Sequence, residues 1–392
     1  MTHLALLVLV SATLSSGFQE EAEIPQAPPQ AHGSVDLDEV RGSLERAVNW
    51  LVENQQADGS WGTHHSPRPI EVLASVPGSQ TAFKVATSAL TVSALQGCAL
   101  AGDAGRTAVE RGLDFLLEEY DVKRMSGLEH YNVWSFGYAL QAFGEHLIAH
   151  PEGPRAKDVR AACRRLVEKL GTYQTLDGGW GYLSLDEVPT FQPSFTSMSF
   201  TTATVMVGMA RARSAGVELP EKLVQKAVEH MKRSRLPDGA FLYGEYLKYR
   251  PRMGINAIKG SACRNPVCHH ALELFGEPPP RLDTMVESLR DLFIRHASLQ
   301  RAALRRPIPH ESWYAISGYF YLYGHAYAAI ALEKLPAEEQ AELWPALVKA
   351  VRVCEQPDGS FWDYPLYSYH KPYGTAFAVQ ALSRVPGIDA VD

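Results

Sequence analysis

Apolar residues recur along the chain in pairs of segments that a turn joins. In the first pair, Leu44, Val48 and Leu51 repeat at helical spacing and predict an amphipathic helix. The following segment, Ala82–Leu100, is apolar on most faces, which is typical of a helix buried on all sides. Five more pairs keep this order: Val109–Tyr120 with Asn132–Leu147, Val159–Leu170 with Ser199–Ala212, Leu223–Met231 with Pro266–Phe275, Leu282–His296 with Ser312–Leu332, and Leu343–Cys354 with Pro372–Leu382. The pattern predicts an all-α chain of six helical hairpins.

A turn motif follows the first helix in four of these hairpins. It reads NQQADGSWG, YQTLDGGWGY, LPDGAF and EQPDGSFW, and the spacing of its Asp-Gly pairs indicates a repeat of about 60 residues. Asp-Gly supplies a tight turn, and the aromatic residue can pack under the next hairpin. We therefore predict a structural role for the Asp and aromatic residues of each copy, which are Asp58, Trp61, Asp177, Trp180, Asp238, Phe241, Asp358 and Phe361.

The apolar second helices decide between an open and a closed arrangement of the hairpins. An open solenoid would leave them on a concave surface, whereas closure into a barrel, with second helices inside, buries them. The turn motifs resemble the QW-type repeats of squalene and oxidosqualene cyclases and of protein prenyltransferase β subunits. Lys371–Leu382 (KPYGTAFAVQAL) resembles their final inner helix. The resemblance covers nearly the whole chain after about residue 40 and implies an α6/α6 toroid around a central cavity.

The active sites of that family are not carried over. The D-x-D-D acid motif of class II cyclases has its nearest match at Asp36–Glu39 (DLDE), before the first helix. The prenyltransferase zinc triad is also absent, because the fifth inner helix opens with His310 and the position of the family's His falls near Gly374. The sequence leaves open whether the protein is an enzyme; if it is one, the resemblance implies a cyclase-like or transferase-like activity.

Four histidines near the starts of inner helices, one histidine inside the fifth inner helix and one cysteine supply candidate chemistry. The starts of parallel inner helices gather at one end of a toroid, and helix N-termini lower the pKa of nearby histidines. The candidate acid–base residues are His269, His270, His310, His325 and His370. Cys268 with His270 forms a candidate zinc site. Alternatives are catalysis without metal, a purely structural use of these residues, and a Cys263–Cys268 disulfide, which would exclude the zinc site.

Aromatic residues predict the character of the cavity wall. On the fifth inner helix, the stripe containing Tyr321 and His325 is expected to face the cavity, in preference to the stripe containing Tyr323 and Tyr327. The predicted lining residues are Trp134, Tyr138, Phe200, Thr204, Tyr314 and Tyr321. Such a wall suits an isoprenoid or another apolar lipid, and it suits stacked sugar rings equally well; the same stripes could also be plain core.

The N-terminus and the overall charge set the expected location and partners. Leu4–Leu14 is a short apolar core, so we predict a signal peptide (1–17), a disordered linker (18–38) and one toroid domain (39–392). The mature protein would be exported, periplasmic or extracellular, without a membrane span. A net charge of -7 without a basic run disfavours nucleic acid.

The sequence thus predicts an exported toroid that binds an apolar isoprenoid-type ligand. Two alternatives remain. One is a secreted polysaccharide-acting enzyme, whose candidate carboxylates are Asp186, Glu187, Glu311 and Asp363. The other is a non-catalytic scaffold that binds a protein partner.

Overall fold

Helices dominate the computed structural model, which describes residues 34–62, 77–123, 132–182, 197–295, 320–363 and 370–389. For residues 77–79, 320 and 370 only the backbone is described. The outer helices are α1 (Leu37–Glu53), α3 (Gly102–Glu119), α5 (Ala156–Tyr173), α7 (Glu221–Ser234), α9 (Leu282–Arg290) and α11 (Ala337–Arg352). The inner helices are α2 (Pro77–Gln96), α4 (Asn132–Ala149), α6 (Ser199–Ser214), α8 (Asn265–Leu274), α10 (Phe320–Leu332) and α12 (His370–Leu382). Short helical turns at Ala99–Ala101, Glu245–Leu247, Ile258–Ser261 and Asp291–Arg295 lie between them.

The two layers differ in how much of each helix is buried. On outer helix α1 the residues Val40, Leu44 and Leu51 are buried, while the opposite face carries charges in solvent. On inner helix α6 every residue from Ser199 to Ala210 is buried. This difference is the one that the apolar pattern predicts, because an inner helix is covered by its two neighbours, by the outer layer and by the interior.

The inner helices close into a ring. Each of α2, α4, α6, α8, α10 and α12 packs against the next, and α12 packs against α2. The two ends of the outer layer meet as well, since Arg352 of α11 lies 2.6 Å from Glu39 of α1, and Arg46 of α1 donates from Nε to Glu355 at 2.9 Å. The prediction of an all-α α6/α6 toroid is confirmed, and the open solenoid is excluded.

The turn motif joins each hairpin to the next. Gly59 has a φ of 86°, and its Cα lies so close to α3 that an added Cβ would stand 2.3 Å from the carbonyl oxygen of Arg111. The indole of Trp61 donates to the carbonyl of Leu51 at 2.7 Å, and its backbone N–H donates to Ser88 Oγ of α2 at 2.8 Å. The motif therefore ties an outer helix, its inner partner and the following outer helix together.

The same contacts recur in the other copies. The backbone N–H of the motif's aromatic residue donates to a side chain of the following inner helix at Thr202, Asn265 and Thr375. In the fourth copy, Gly359 packs against the carbonyl of Arg46 on α1. This last contact brings the end of the chain onto its first helix and closes the ring.

The first helix begins close to the predicted start of the toroid domain, whereas the predicted leader cannot be compared with the structure. Helix α1 begins at Leu37, with Asp36 as its N-cap accepting from the N–H of Glu39 at 3.1 Å, so the DLDE segment belongs to a helix start. The predicted leader and residues 18–33 lie outside the described residues. Among the described helices, none is by itself both long and apolar enough to cross a bilayer; one sharply bent pair, Gln80–Gln96 with Ala99–Glu119, meets those criteria jointly.

Candidate functional site

Aromatic side chains from four inner helices meet on the axis of the ring. This central aromatic cluster comprises Trp134, Tyr138, Phe200, Tyr323 and Phe377. Helices α4 and α10 stand on opposite sides of the ring, yet the rings of Trp134 and Tyr323 are 6.3 Å apart. At this level aromatic side chains therefore connect opposite sides of the ring.

Half-buried tyrosines extend the central aromatic cluster. Tyr182 and Tyr243 come from segments just after two turn motifs, and both rings lie within 6.0 Å of Phe200. Tyr373, in the first turn of α12, lies 4.9 Å from Phe377. Because these residues stand at the N-terminal ends of the inner helices, they form the aromatic rim of the ring's interior.

The predicted lining residues divide into three groups. Trp134, Tyr138, Phe200 and Thr204 lie together in the interior, where Thr204 Oγ1 is 3.1 Å from the hydroxyl of Tyr323. Tyr321 does not, because its hydroxyl donates to the carbonyl of Ala350 on outer helix α11 at 2.9 Å. Tyr314 lies outside the described residues.

The orientation of the fifth inner helix is the reverse of the prediction. Tyr321 and His325 face the outer layer: His325 Nδ1 is 2.7 Å from the carbonyl of Tyr321, and its ring lies 5.5 Å from Phe293. Tyr323 and Tyr327 face the interior instead. Burial lowers the pKa of His325 to about 4, and its Nε2 has no described partner. His325 is therefore a neutral core histidine, and it does not line the cavity.

The two histidines of α8 face opposite sides of the helix. His269 faces outward, with Nε2 3.0 Å from the carbonyl of Gly239 in the third turn motif. His270 faces inward against Tyr327, at 6.2 Å between ring centres. Burial lowers the pKa of His269 to about 4 and that of His270 to about 3. The side chains of His310 and His370 lie outside the described residues.

The predicted zinc pair is wrong on geometric grounds. Cys268 and His270 are two residues apart on α8, so their side chains leave the helix about 200° apart. Burial raises the pKa of the Cys268 thiol to about 12, which disfavours the thiolate that binds zinc. Cys263 and Cys268 are both buried and free, so the alternative disulfide does not form either.

Polar side chains collect at the other end of the interior, near the C-termini of the inner helices. Glu145 of α4 accepts from Gln141 at 3.0 Å and lies 3.7 Å from Arg211 of α6. Burial raises the pKa of Glu145 despite Arg211. Buried atoms without a described hydrogen-bond partner in this region are Gln141 Oε1, Gln380 Nε2 and both ring nitrogens of His270. These atoms make the C-terminal end of the interior polar, unlike its aromatic middle.

One buried carboxyl stands between the layers. Asp363 Oδ2 accepts from the N–H of Leu322 in α10 at 2.9 Å, and Oδ1 has no described partner. Burial raises the pKa of this carboxyl to about 7.

A further polar cluster, which the sequence pattern did not reveal, surrounds the second turn motif. His230 of α7 places Nδ1 3.1 Å from Glu245 Oε2 and 4.0 Å from Asp177 Oδ1. Ser197 donates to Asp177 Oδ2 at 2.7 Å. Arg233 donates to both oxygens of Glu245, at 3.0 and 2.9 Å. The hydrogen bond from His230 lowers the pKa of Glu245 to about 2, with Arg233 acting in the same direction. The hydrogen-bond register of the repeats shows that Met198 takes the place of a lysine that two other copies carry.

Comparisons with known proteins agree with the ring architecture. The squalene-hopene cyclase C-terminal domain family matches residues 30–143. The type II terpene cyclase MstE from Scytonema has a TM-score of 0.51 at 14% identity, covering 90% of this chain and 100% of that one. An inactive variant of the α-1,6-mannanase of Salegentibacter sp. HEL1_6, in complex with α-1,6-mannotetrose, has a TM-score of 0.56 at 8% identity, covering 89% and 99%.

Cellobiose 2-epimerase from Bacillus thermoamylovorans has a TM-score of 0.52 at 11% identity, covering 89% of this chain and 99% of that one. No curated protein matches the chain by sequence. At these identities the likeness shows the fold alone. The chain therefore has a terpenoid cyclase-like α/α-toroid fold, which it shares with carbohydrate-active enzymes.

Proposed function

We propose that this chain is an exported toroid that binds an apolar, isoprenoid-type small molecule at the aromatic rim and the central aromatic cluster. One observation carries the proposal: the continuous set of ring contacts from Tyr182 and Tyr243 through Phe200 and Trp134 to Tyr323. Aromatic faces offer a large apolar contact area, and their negative faces attract cationic or polarised groups of a ligand.

The polar atoms of this region favour an apolar ligand over a sugar. The hydroxyl of Tyr323 is shared between Thr204 and the carbonyl of Phe200, and the hydroxyls of Tyr182 and Tyr243 bond to each other. Within the cluster, the hydroxyl of Tyr138 adjoins Thr204, so the polar groups of this region are largely engaged with one another. A sugar would need several polar groups that are free to bond it.

The polysaccharide-acting alternative has weaker support. Glycoside hydrolysis needs two carboxyl groups facing each other across the scissile bond. Among the described carboxyl groups in or near the interior, Glu145 lies against Arg211, Asp363 accepts from the N–H of Leu322, and Glu245 is held by Arg233. The likeness to an α-1,6-mannanase concerns the fold, at 8% identity. The proposal therefore concerns binding, and it assigns no acid to a cyclase reaction.

The test is an equilibrium binding measurement on the mature chain with a radiolabelled polyprenyl alcohol and, in parallel, mannooligosaccharides. We expect saturable binding of the polyprenyl alcohol, weakened about tenfold or more by Trp134→Leu, because a large apolar contact is lost. The matched control is Trp50→Leu on outer helix α1, which should bind like the wild type. Binding of the oligosaccharide alone, or equal effects of both substitutions, would contradict the proposal.

Export needs its own experiment. Residues 1–17 fused to a reporter enzyme that is active only outside the cytoplasm should yield reporter activity. A fusion with Leu7→Arg and Leu9→Arg, which breaks the apolar core, is the control. Equal activity of the two fusions would argue against the predicted leader.

A further inference from the structure

Two of the turn motifs hold a lysine against their Asp. Lys84 Nζ lies 2.6 Å from Asp58 Oδ2, and Lys371 Nζ lies 2.8 Å from Asp358 Oδ2. Each lysine stands four residues before the hydroxyl residue, Ser88 or Thr375, that accepts from the motif's aromatic N–H. In these two copies a cation therefore faces the motif's carboxylate at the same register.

The second motif differs from these two copies. Thr202 takes the place of Ser88, so the lysine register falls on Met198. The aromatic ring that covers Lys84 is also replaced. In the first repeat that ring is Phe115, 5.3 Å from Lys84 Nζ and four residues after Arg111, which contacts Gly59.

The corresponding position in the second repeat is His230. Gly178 of the second motif contacts Lys226, and His230 follows Lys226 by four residues, as Phe115 follows Arg111. The lysine and the phenyl ring of repeat one thus become a methionine and an imidazole. The imidazole is fully buried and points its Nδ1 toward Asp177.

A second carboxylate, that of Glu245, lies beside His230 and Asp177. Glu245, with a side chain only 8% exposed, lies against His230 Nδ1. Where repeat one has one carboxylate and one lysine, repeat two has two carboxylates, and Arg233 at 2.9 Å and Lys248 at 3.7 Å both pair with Glu245. Asp177 thus lacks the lysine that compensates the motif carboxylate in the first and fourth copies; the third copy, with Ser261 at this register, lacks it as well.

We propose that Asp177, His230 and Glu245 bind a divalent transition-metal ion of the zinc class. Their ligand atoms lie within 4.8 Å of one another. Metal–ligand bonds of about 2 Å bring such atoms to about 3 to 3.5 Å, so small side-chain movements suffice. One imidazole nitrogen and two carboxylate oxygens suit zinc and its neighbours better than magnesium or calcium. The ligands come from a turn, an outer helix and the segment Glu245–Leu247, so the ion would fasten these three segments together.

The surrounding contacts orient the ligands. Ser197 Oγ lies 3.3 Å from His230 Nε2, where it can accept the ring N–H while donating to Asp177. Arg233 fixes Glu245. Hydrogen bonds of this kind to the atoms behind metal ligands raise metal affinity.

A Ser–His–acid catalytic triad would use the same residues, but the geometry disfavours it. Ser197 is fully buried, so its hydroxyl cannot reach a substrate. Its Oγ also lies 3.4 Å from Nδ1 and 3.3 Å from Nε2, whereas a triad directs the hydroxyl at a single nitrogen.

The experiment is equilibrium dialysis of the full chain against Zn²⁺, with elemental analysis and thermal unfolding of the same samples. We expect one zinc ion per chain and a higher Tm with zinc. His230→Phe should abolish both effects. The double variant Met198→Lys with His230→Phe restores the arrangement of repeat one, and should fold without binding zinc. The matched control is His150→Phe, an exposed histidine that should leave zinc binding unchanged.

Each remaining outcome would overturn the proposal. These are absence of zinc from the wild type, zinc retained by the double variant, or equal loss in the His150→Phe control. Because the double variant carries a complete alternative network, loss of zinc in a folded double variant separates metal binding from general unfolding. The polyprenyl-binding proposal is independent of this result.

Discussion

The buried carboxyl of Asp363 makes a quantitative prediction about stability and pH. Its Oδ2 accepts the N–H of Leu322, and Asn at this position would keep that acceptor while carrying no charge. The titratable neighbours Cys263, Cys354 and Tyr321 have raised pKa values because they are buried, so they stay neutral at the pH values considered. Asp363→Asn therefore isolates the effect of one ionisation.

The direction of the pH effect on stability follows from the pKa of Asp363 in the folded and unfolded states. Burial raises the pKa of Asp363 to about 7 in the folded chain, against 3.8 for an exposed aspartate. Between these values the folded state binds more protons than the unfolded state, so stability falls as the pH rises from about 4 to about 7. A difference of about 3 pKa units corresponds to about 4 kcal/mol of unfolding free energy.

The assay is guanidinium chloride unfolding of the wild type and Asp363→Asn at pH 4, 6 and 8. The stability of the variant relative to the wild type should increase by about 4 kcal/mol from pH 4 to pH 8, because the variant never buries a charge. Asp103→Asn, at an exposed position of α3, is the control and should show no such trend. A pH-independent difference for Asp363→Asn would refute the reasoning.

Three further predictions concern strain, a core histidine and the thiols. Gly59→Ala and Gly276→Ala both place Ala at a φ of 86°, but only Gly59→Ala also brings the new Cβ to 2.3 Å from the carbonyl oxygen of Arg111. In chemical unfolding, Gly59→Ala should lower the unfolding free energy by about 3 kcal/mol or more, and Gly276→Ala by about 1 kcal/mol. Equal losses would refute the close approach of Gly59 to α3. Because burial lowers the pKa of His325 from 6.5 to about 4, stability is lost as the pH falls through this window, and His325→Phe should lessen that loss; an unchanged acid-unfolding profile would contradict it. All five cysteines are buried thiols, so a thiol reagent should count five only after denaturation; fast reaction of the native chain would contradict this burial.

The sequence was sufficient for the ring but not for the direction in which inner helices face. Outer helices such as α7 show their buried side plainly, through Leu223, Ala227 and Met231 at helical spacing. Inner helices are covered on every side and carry no such contrast. On α10 both candidate stripes contain aromatic residues and both are buried, so the sequence offered no physical basis for placing Tyr323 and Tyr327 inside.

The candidate sites were missed or misplaced for a related reason. The histidines predicted from the sequence belong to inner-helix segments, whereas His230 stands on an outer helix and is fully buried there. Its partner Glu245 lies 15 residues away, beyond the third turn motif, so no local spacing announces the pair. Only the hydrogen-bond register of the repeats shows that Met198 occupies a lysine position.

The repeats therefore act as internal controls for one another. The same turn recurs with the same backbone contacts. A residue that differs from its equivalents in the other copies is therefore not explained by the structural role that the copies share. Lysine at two of these registers neutralises a motif carboxylate, as Lys84 and Lys371 do. When the lysine is lost and a second carboxylate and an imidazole converge on the same aspartate, Arg233 and Lys248 pair with Glu245, and a cation bound beside Asp177 would take the place of the lysine. This is why the second turn motif, more than the aromatic interior, distinguishes a specialised site from the scaffold.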